Sequence, residues 1–449
     1  MTCNLSEPFG PTKDFARRLD AADKLAGFRG RFDLPRSPTG EPVIYFSGNS
    51  LGLKPKTVEG VIEQELADWR TLAVDAHLKG KTPWYSYHEV LVPAIERLVG
   101  ARPGAGEVVV MNSLTVNLHL MLVSFYRPTK ERHKIVMEYP AFPSDLYAVT
   151  THLRTRGLDP RRSLVQVRPS DGEHCISTER IEGLLAEQGS EIALLLLPGA
   201  NFFTGQVFDI ARIVAAARRH GCMVGFDLAH AAGNVILNLH DWDVDFACWC
   251  SYKYLNGGPG AVAGCFVHAR HGNDPDRPRY AGWWGDDPQT RFQMHLQRDF
   301  VPQPGAAGWQ VSNPSILSMA PLRASLEIFD EAGMAPLREK SRRLTGYLRY
   351  LLERAPGGCR GGAGGSAGGG GGGMRIITPP EPEAQGCQLS IQVHDDPLRR
   401  HQELLEGGAM CDFREPDVIR VAPVPLYNTF CEVWRFARLL TGDPSPEHC

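Results

Sequence analysis

Through the middle of the chain, short apolar runs at 134–138, 192–197, 223–226 and 246–249 alternate with longer amphipathic stretches. Runs of this length and uniformity read as strands buried on both faces. Between two of them, residues 210–219 have helical composition, and Gly221 follows as a stop signal. Strand, helix and strand in this order build a mostly parallel sheet with helices on both faces.

After Pro314 the pattern changes. Residues 316–332 and 337–352 predict long helices, and 376–378, 387–393 and 418–421 predict short strands. The expected organisation is an N-terminal segment (1–55) packing with the small domain, a large domain (56–315) and a small α+β domain (316–449). Within the last, residues 357–373 are almost all Gly, with Ala, Ser, Cys and Arg. Such a tract buries too little apolar surface to order itself. It reads as a disordered, dispensable surface loop, because loops absorb added length at small entropic cost.

Composition narrows the function classes. At 449 residues the chain can hold two domains around a substantial core. With 43% apolar and 22% charged residues it has ordinary globular composition. No apolar run approaches the roughly 18 residues of a membrane span. A net charge of -3 with mixed signs carries no footprint for nucleic acid or an acidic membrane. Residues 1–20 lack the basic start and apolar stretch of a secretory signal, so a cytoplasmic location is expected. Eleven cysteines, irregularly spaced from Cys3 to Cys449, read as reduced thiols. Cys248 and Cys250, with His268 and His271 nearby, miss the spacing of a zinc site, and no metal is expected.

The densest chemistry lies at two strand ends. Gly225-Phe226-Asp227-Leu228-Ala229-His230 is followed by Cys250-Ser251-Tyr252-Lys253, and open α/β sheets bind ligands beyond the carboxyl ends of their strands. An Asp at one strand end and a Lys at the next suit a pyridoxal cofactor. The amine can form a Schiff base with its aldehyde, and the carboxylate can keep the pyridine nitrogen protonated so that the ring accepts electrons. Spacing alone leaves open a solvated charge and a helix cap. The glycines at 258, 260 and 264 have the wrong interval for a dinucleotide fingerprint and a Pro in the turn, which excludes a nicotinamide enzyme.

Ser251-Tyr252-Lys253-Tyr254-Leu255-Asn256, with residues 224–233 before it, resembles the kynureninase family of fold-type I pyridoxal-phosphate hydrolases, in its animal type. Further family motifs follow in family order: Ser47-Gly48-Asn49-Ser50-Leu51-Gly52-Leu53, Leu114-Thr115 with Asn117-Leu118-His119, Phe142-Pro143-Ser144-Asp145, Gly282-Trp283-Trp284-Gly285, Ser312-Asn313-Pro314, and Arg420-Val421-Ala422-Pro423 through Asn428. The resemblance implies a large domain with a mostly parallel sheet flanked by helices, plus a smaller α+β domain. It also implies cleavage of L-kynurenine or 3-hydroxy-L-kynurenine to alanine and an anthranilate, in tryptophan catabolism and NAD biosynthesis.

Site roles follow from the same resemblance. Lys253 would carry pyridoxal 5'-phosphate and move the substrate's Cα proton, Asp227 would pair with the ring nitrogen, and Phe142 would stack on the ring. Pro143, Ser144, Asp145 and His230 would stand close to the cofactor. The amides of Leu114 and Thr115, opening a helix, would cradle the phosphate, with Tyr252 adding a hydroxyl and lending a proton. Trp283 and Asn313 would reach into a neighbouring subunit's site, making a homodimer. Arg420 would clamp the substrate α-carboxylate, with Ser50, His77, Ser312 and Asn313 completing the substrate pocket. Pro198 departs from the pattern, standing where the family often has a cofactor-contacting Ser, a contact that Thr204 could replace. A class V aminotransferase, a cysteine desulfurase or a catalytically silent homologue are the alternatives.

Overall fold

Seven strands form the central sheet among the described residues of this computed structural model, which are 9–38, 40–274, 276–297, 299–355, 359 and 373–442. They are β1 (Val108–Val110), β2 (Lys134–Glu138), β3 (Leu164–Val167), β4 (Ile192–Pro198), β5 (Met223–Asp227), β6 (Phe246–Trp249) and β7 (Gly264–Val267). Their spatial order is β1-β7-β6-β5-β4-β2-β3. β2 to β6 pair in parallel, and β7 runs antiparallel between β6 and β1. Apart from Cys359 and Gly373, the glycine-rich tract lies outside the described residues.

The uniformly apolar β4 shows why the sheet is covered twice. Leu194 and Leu196 enter a core with helices Leu114–Phe125 and Pro143–Thr155, while Leu195 and Leu197 enter another with helix Ile210–Arg219. Alternate side chains of a strand point to opposite faces, so both parities must be apolar. The helix Ile210–Arg219 starts where Asp209 accepts a hydrogen bond from the Arg212 amide.

A second sheet holds β8 (Met374–Ile376), β9 (Leu389–Val393), β10 (Asp412–Arg414) and β11 (Val418–Val421), antiparallel in the order β10-β11-β9-β8. Its core takes in Phe15, Leu19, Ile44 and Phe46 from the N-terminal segment, and residues of helices Met334–Arg354 and Phe430–Leu440. Ile44–Tyr45 pairs in parallel with Ala409–Met410, tying the two ends of the chain together. The helix Ile316–Ala332 packs on helices Val58–Leu72 and Tyr87–Val99, sending Leu322, Leu326 and Phe329 into the large-sheet core.

Three boundaries differ from expectation for tertiary reasons. The strand predicted at 376–378 ends at Ile376, because the Thr378 hydroxyl turns to Thr204 O and to the Ser390 amide. The one predicted from 387 begins at Leu389, since the Cys387 amide donates to Asn234 Oδ1. The helix predicted at 337–352 is Met334–Arg354, with Pro336 inside its first turn, where a missing N–H costs nothing. No helix among the described residues is long and apolar enough to cross a membrane.

Candidate functional site

The carboxyl ends of β2, β4, β5 and β6 open onto one cavity of about 250 Å³. Register places Pro198 opposite Asp227, and Asp227 opposite Cys248, so the strand tips stand side by side. Beyond β6 the chain turns to present Lys253, and Asn256 adopts φ 51°, a left-handed conformation that Asn tolerates. The motif from Ser47 to Leu53 docks onto this turn. Gly52 N donates to Tyr252 O at 2.8 Å, and a Cβ at Gly52 would stand 2.3 Å from Lys253 O, so only glycine fits.

Leu114, Thr115, Phe142, Ser144, Asp145, Pro198, Asp227, His230, Tyr252 and Lys253 all line this cavity. Leu114 and Thr115 open the helix Leu114–Phe125, whose first amides make a ready anion site, and the Thr115 and Ser144 hydroxyls lie 2.9 Å apart. Pro143 is the first residue of the next helix, flanked by the lining residues Phe142 and Ser144. Phe142 meets Phe202 edge-on at 5.3 Å, and Lys253 Nζ stands 5.8 Å from the Phe142 ring centre.

The polar groups are arranged by charge. Lys253 Nζ lies 3.0 Å from His230 Nε2. Burial first, then the charges of Lys253, Arg420 and Arg414, pushes the His230 imidazole well below its usual range, so it is neutral at pH 7. Asp227 is anchored by the Ala229 amide, 2.7 Å from Oδ1. Burial and the neighbouring Asp227 raise the Asp145 carboxyl well above the usual carboxylate range. Burial, then Cys250, raises the Tyr252 hydroxyl, which keeps its proton at neutral pH. Asp145 Oδ1 and His230 Nδ1 are buried without a protein partner. Such atoms call for a polar ligand, and with the helix N-terminus and the lysine they fit a phosphorylated aromatic aldehyde.

Several site residues lie elsewhere in the chain. Ser50 and Arg420 are joined through Asp412 behind Phe202, outside the cavity lining. His77 packs edge-on against Trp84 at 5.3 Å, with Nδ1 3.0 Å from Val74 O. Ser312 and Asn313 are exposed, and Trp283 is half-buried against Trp284. Thr204 does not replace the contact missing at Pro198: its hydroxyl faces Asn201 Oδ1 at 3.3 Å, away from the lining.

Sequence reasoning missed Glu138, Phe202 and Asp412. Glu138 ends an apolar strand just as Asp227 does, and that signal was available in the sequence. It is 4% exposed, and burial, then Asp227, pushes its carboxyl up to about 8. An unfolded glutamate ionises near 4.5, so the folded state binds the extra proton between those values. Stability therefore falls as pH rises from the unfolded to the folded value, and the cost persists above it. Glu138→Gln keeps the shape and removes that cost, on the order of a few kcal/mol. The variant's gain in thermal stability should grow between pH 5 and pH 8.5; a gain independent of pH would show that Glu138 is not held protonated.

The comparisons with known proteins agree with this geometry. A family model described as aminotransferase class-V matches residues 44–360, and one described as kynureninase C-terminal domain matches 337–440. A kynureninase of Koribacter versatilis is 53% identical over 430 residues, covering 96% of this chain and 97% of its own. One from Myxococcus xanthus is 52% identical, covering 97% and 98%. Among solved structures, the Escherichia coli cysteine desulfurase CsdA superposes with a TM-score of 0.71 at 16% identity, covering 94% of this chain and 98% of that one. The cystine C-S lyase C-DES, in complex with cysteine persulfide, gives 0.70 at 17%, covering 89% and 97%. These structures share the fold. Identity above one half, running almost end to end in both chains and so spanning the lysine turn and the Arg420 strand alike, makes this chain a member of the kynureninase family.

Proposed function

We propose that the chain hydrolyses the Cβ–Cγ bond of L-kynurenine and 3-hydroxy-L-kynurenine, giving L-alanine and anthranilate or 3-hydroxyanthranilate, in tryptophan catabolism and NAD biosynthesis. The observation that carries this reading is the single cavity joining Lys253 and Asp227 in a chain half-identical to kynureninases. Pyridoxal 5'-phosphate supplies an aldehyde that captures amines and a ring that accepts electrons.

The protein's own groups do the rest. Lys253 would hold the cofactor through its amine, and the same amine would move the proton at the substrate's Cα. Neutral His230, 3.0 Å from Nζ, can accept a hydrogen bond from that amine and so orient it. Asp227 would offer a carboxylate to the ring nitrogen, and Phe142, another lining residue, would pack on the ring. The amides of Leu114 and Thr115 and the hydroxyls of Thr115, Ser144 and Tyr252 would hold the phosphate. Tyr252, which keeps its proton, can lend it when water adds to the side-chain carbonyl and the Cβ–Cγ bond breaks. Arg420 is read as the clamp on the α-carboxylate.

The working unit is read as a cytoplasmic homodimer in which Trp283 and Asn313, which are not among the lining residues of their own chain's cavity, serve the neighbouring site. A desulfurase is the less favoured reading: Cys250, the thiol beside this lysine, is buried and pushed up to about 11, which suits no nucleophile.

Incubating the purified protein with kynurenine should release fluorescent anthranilate, and no release from cofactor-loaded protein refutes the reading. His77, Ser312 and Asn313 are read as the end of the pocket that meets the 3-hydroxyl. A site built to hydrogen-bond a hydroxyl rejects the analogue lacking it. The specificity constant should therefore favour 3-hydroxykynurenine, by roughly tenfold for one such bond. Apolar replacement of both His77 and Asn313 should erase the preference. Equal constants in the wild type, or a preference that survives both changes, would remove these residues from substrate selection.

A further inference from the structure

Arg420 does not act alone. Asp412 stands directly opposite it across β10 and β11. Asp412 Oδ2 accepts hydrogen bonds from Arg420 Nη2, from Ser50 Oγ at 2.5 Å and from Arg414 Nη2 at 3.2 Å. Arg420 Nη1 donates to Phe202 O at 2.6 Å, and Phe202 is a wall of the cavity. Arg420 is 1% exposed, yet its Nε–H, like that of Arg414, is buried without a protein acceptor. A guanidinium N–H in that position favours an incoming acceptor.

The charges decide what that acceptor can be. Burial pushes the Asp412 carboxyl up, but Arg420, Ser50 and Arg414 together outweigh it and hold the group below its usual range, so it is ionised. An Arg–Asp pair by itself is formally neutral and offers an anion little net attraction. Arg414 restores one positive charge to the cluster. Both arginines also act electrostatically on His230, whose ring lies 3.0 Å from Lys253 Nζ. The excess charge therefore stands within electrostatic reach of His230, the group that touches Lys253 Nζ.

We infer that Arg414 is a specificity-determining residue, supplying the charge that Asp412 withdraws from Arg420, so that the site selects amino acids with one carboxylate beside the reacting amine. The inference rests on Arg420 as the carboxylate clamp. Asp412 and Ser50 are positioning residues, fixing the guanidinium fork through bonds it would otherwise make to water.

The test uses the cofactor-loaded enzyme. Arg414→Gln should raise KM for kynurenine about tenfold with kcat within about twofold, since the charge acts on binding and not on bond cleavage. Arg414→Lys should bring KM back to within about threefold of wild type, because charge matters there more than fork geometry. Adding Asp412→Asn to Arg414→Gln restores the net positive charge and should lower KM again. Binding of the decarboxylated amine of kynurenine, followed by cofactor absorbance, should be unmoved by Arg414→Gln. An unchanged KM in Arg414→Gln, or equal weakening of the decarboxylated amine, overturns the inference. Failure of Asp412→Asn to rescue a double variant that retains its cofactor also overturns it. Should that variant lose its cofactor, Arg414→Lys decides, and a tenfold rise in its KM overturns the inference. Arg420→Lys separates the two levels: an unchanged KM there sinks the clamp itself, whereas a rise there beside a silent Arg414→Gln sinks only the role of Arg414.

Discussion

Lys253→Ala should lower kcat by on the order of 10⁴-fold or more, because in the proposed mechanism one amine both holds the cofactor and moves the substrate proton, and no neighbour can take over both tasks. His230 is the nearest basic group, at 3.0 Å, but an imidazole cannot form the covalent link to an aldehyde that a primary amine forms. Borohydride reduction of the wild-type enzyme should leave the pyridoxyl group on the peptide containing Lys253, and the variant should yield no labelled peptide. Label recovered on another lysine, or activity within tenfold of wild type, refutes the assignment.

Asp227→Asn carries the second largest expected effect, a loss in kcat of roughly 10²- to 10⁴-fold. The amide oxygen can still accept the Ala229 N–H that Asp227 Oδ1 accepts at 2.7 Å, so the loop should keep its shape. What disappears is the negative charge that the proposed mechanism sets against the ring nitrogen. A neutral amide cannot keep that nitrogen protonated in a buried site, and the ring then withdraws electrons poorly. Asp145 should respond as well, since Asp227 is one of the charges raising its carboxyl. Steady-state kinetics give the size of the loss, and cofactor absorbance confirms that the variant is loaded. A kcat within a few-fold of wild type would mean that ring protonation has another source.

Much of the fold was legible because β2, β4, β5 and β6 are buried on both faces and announce themselves as apolar runs. The strand boundaries at 376–378 and 387 were not, because the groups that end those strands, Thr204 O and Asn234 Oδ1, come from distant parts of the chain. Lys253 and Asp227 were legible as ionisable residues closing apolar strands. Glu138 obeys the same rule but lies in none of the family motifs, so the resemblance did not single it out. Asp412 was beyond reach: its importance comes from cross-strand register with Arg420, which composition and spacing do not encode. His77, Ser312 and Asn313, placed by resemblance, do not line the cavity of their own chain.

The cavity is lined entirely by residues between Ser113 and Lys253, one continuous stretch of chain, whereas the carboxylate cluster joins Ser50 to Asp412 and Arg420. That division sets an order on biosynthesis. A chain growing on the ribosome has every residue of the cavity wall in hand before the second sheet exists, while the cluster of Ser50, Asp412 and Arg420 waits for contacts some 360 residues apart in sequence. The slowest step in maturation should accordingly be the docking of the two chain ends, read as a lag between protection of the β2 to β6 amides from hydrogen exchange and protection of those in β10 and β11. Simultaneous protection of both sets would show that the molecule closes as one unit.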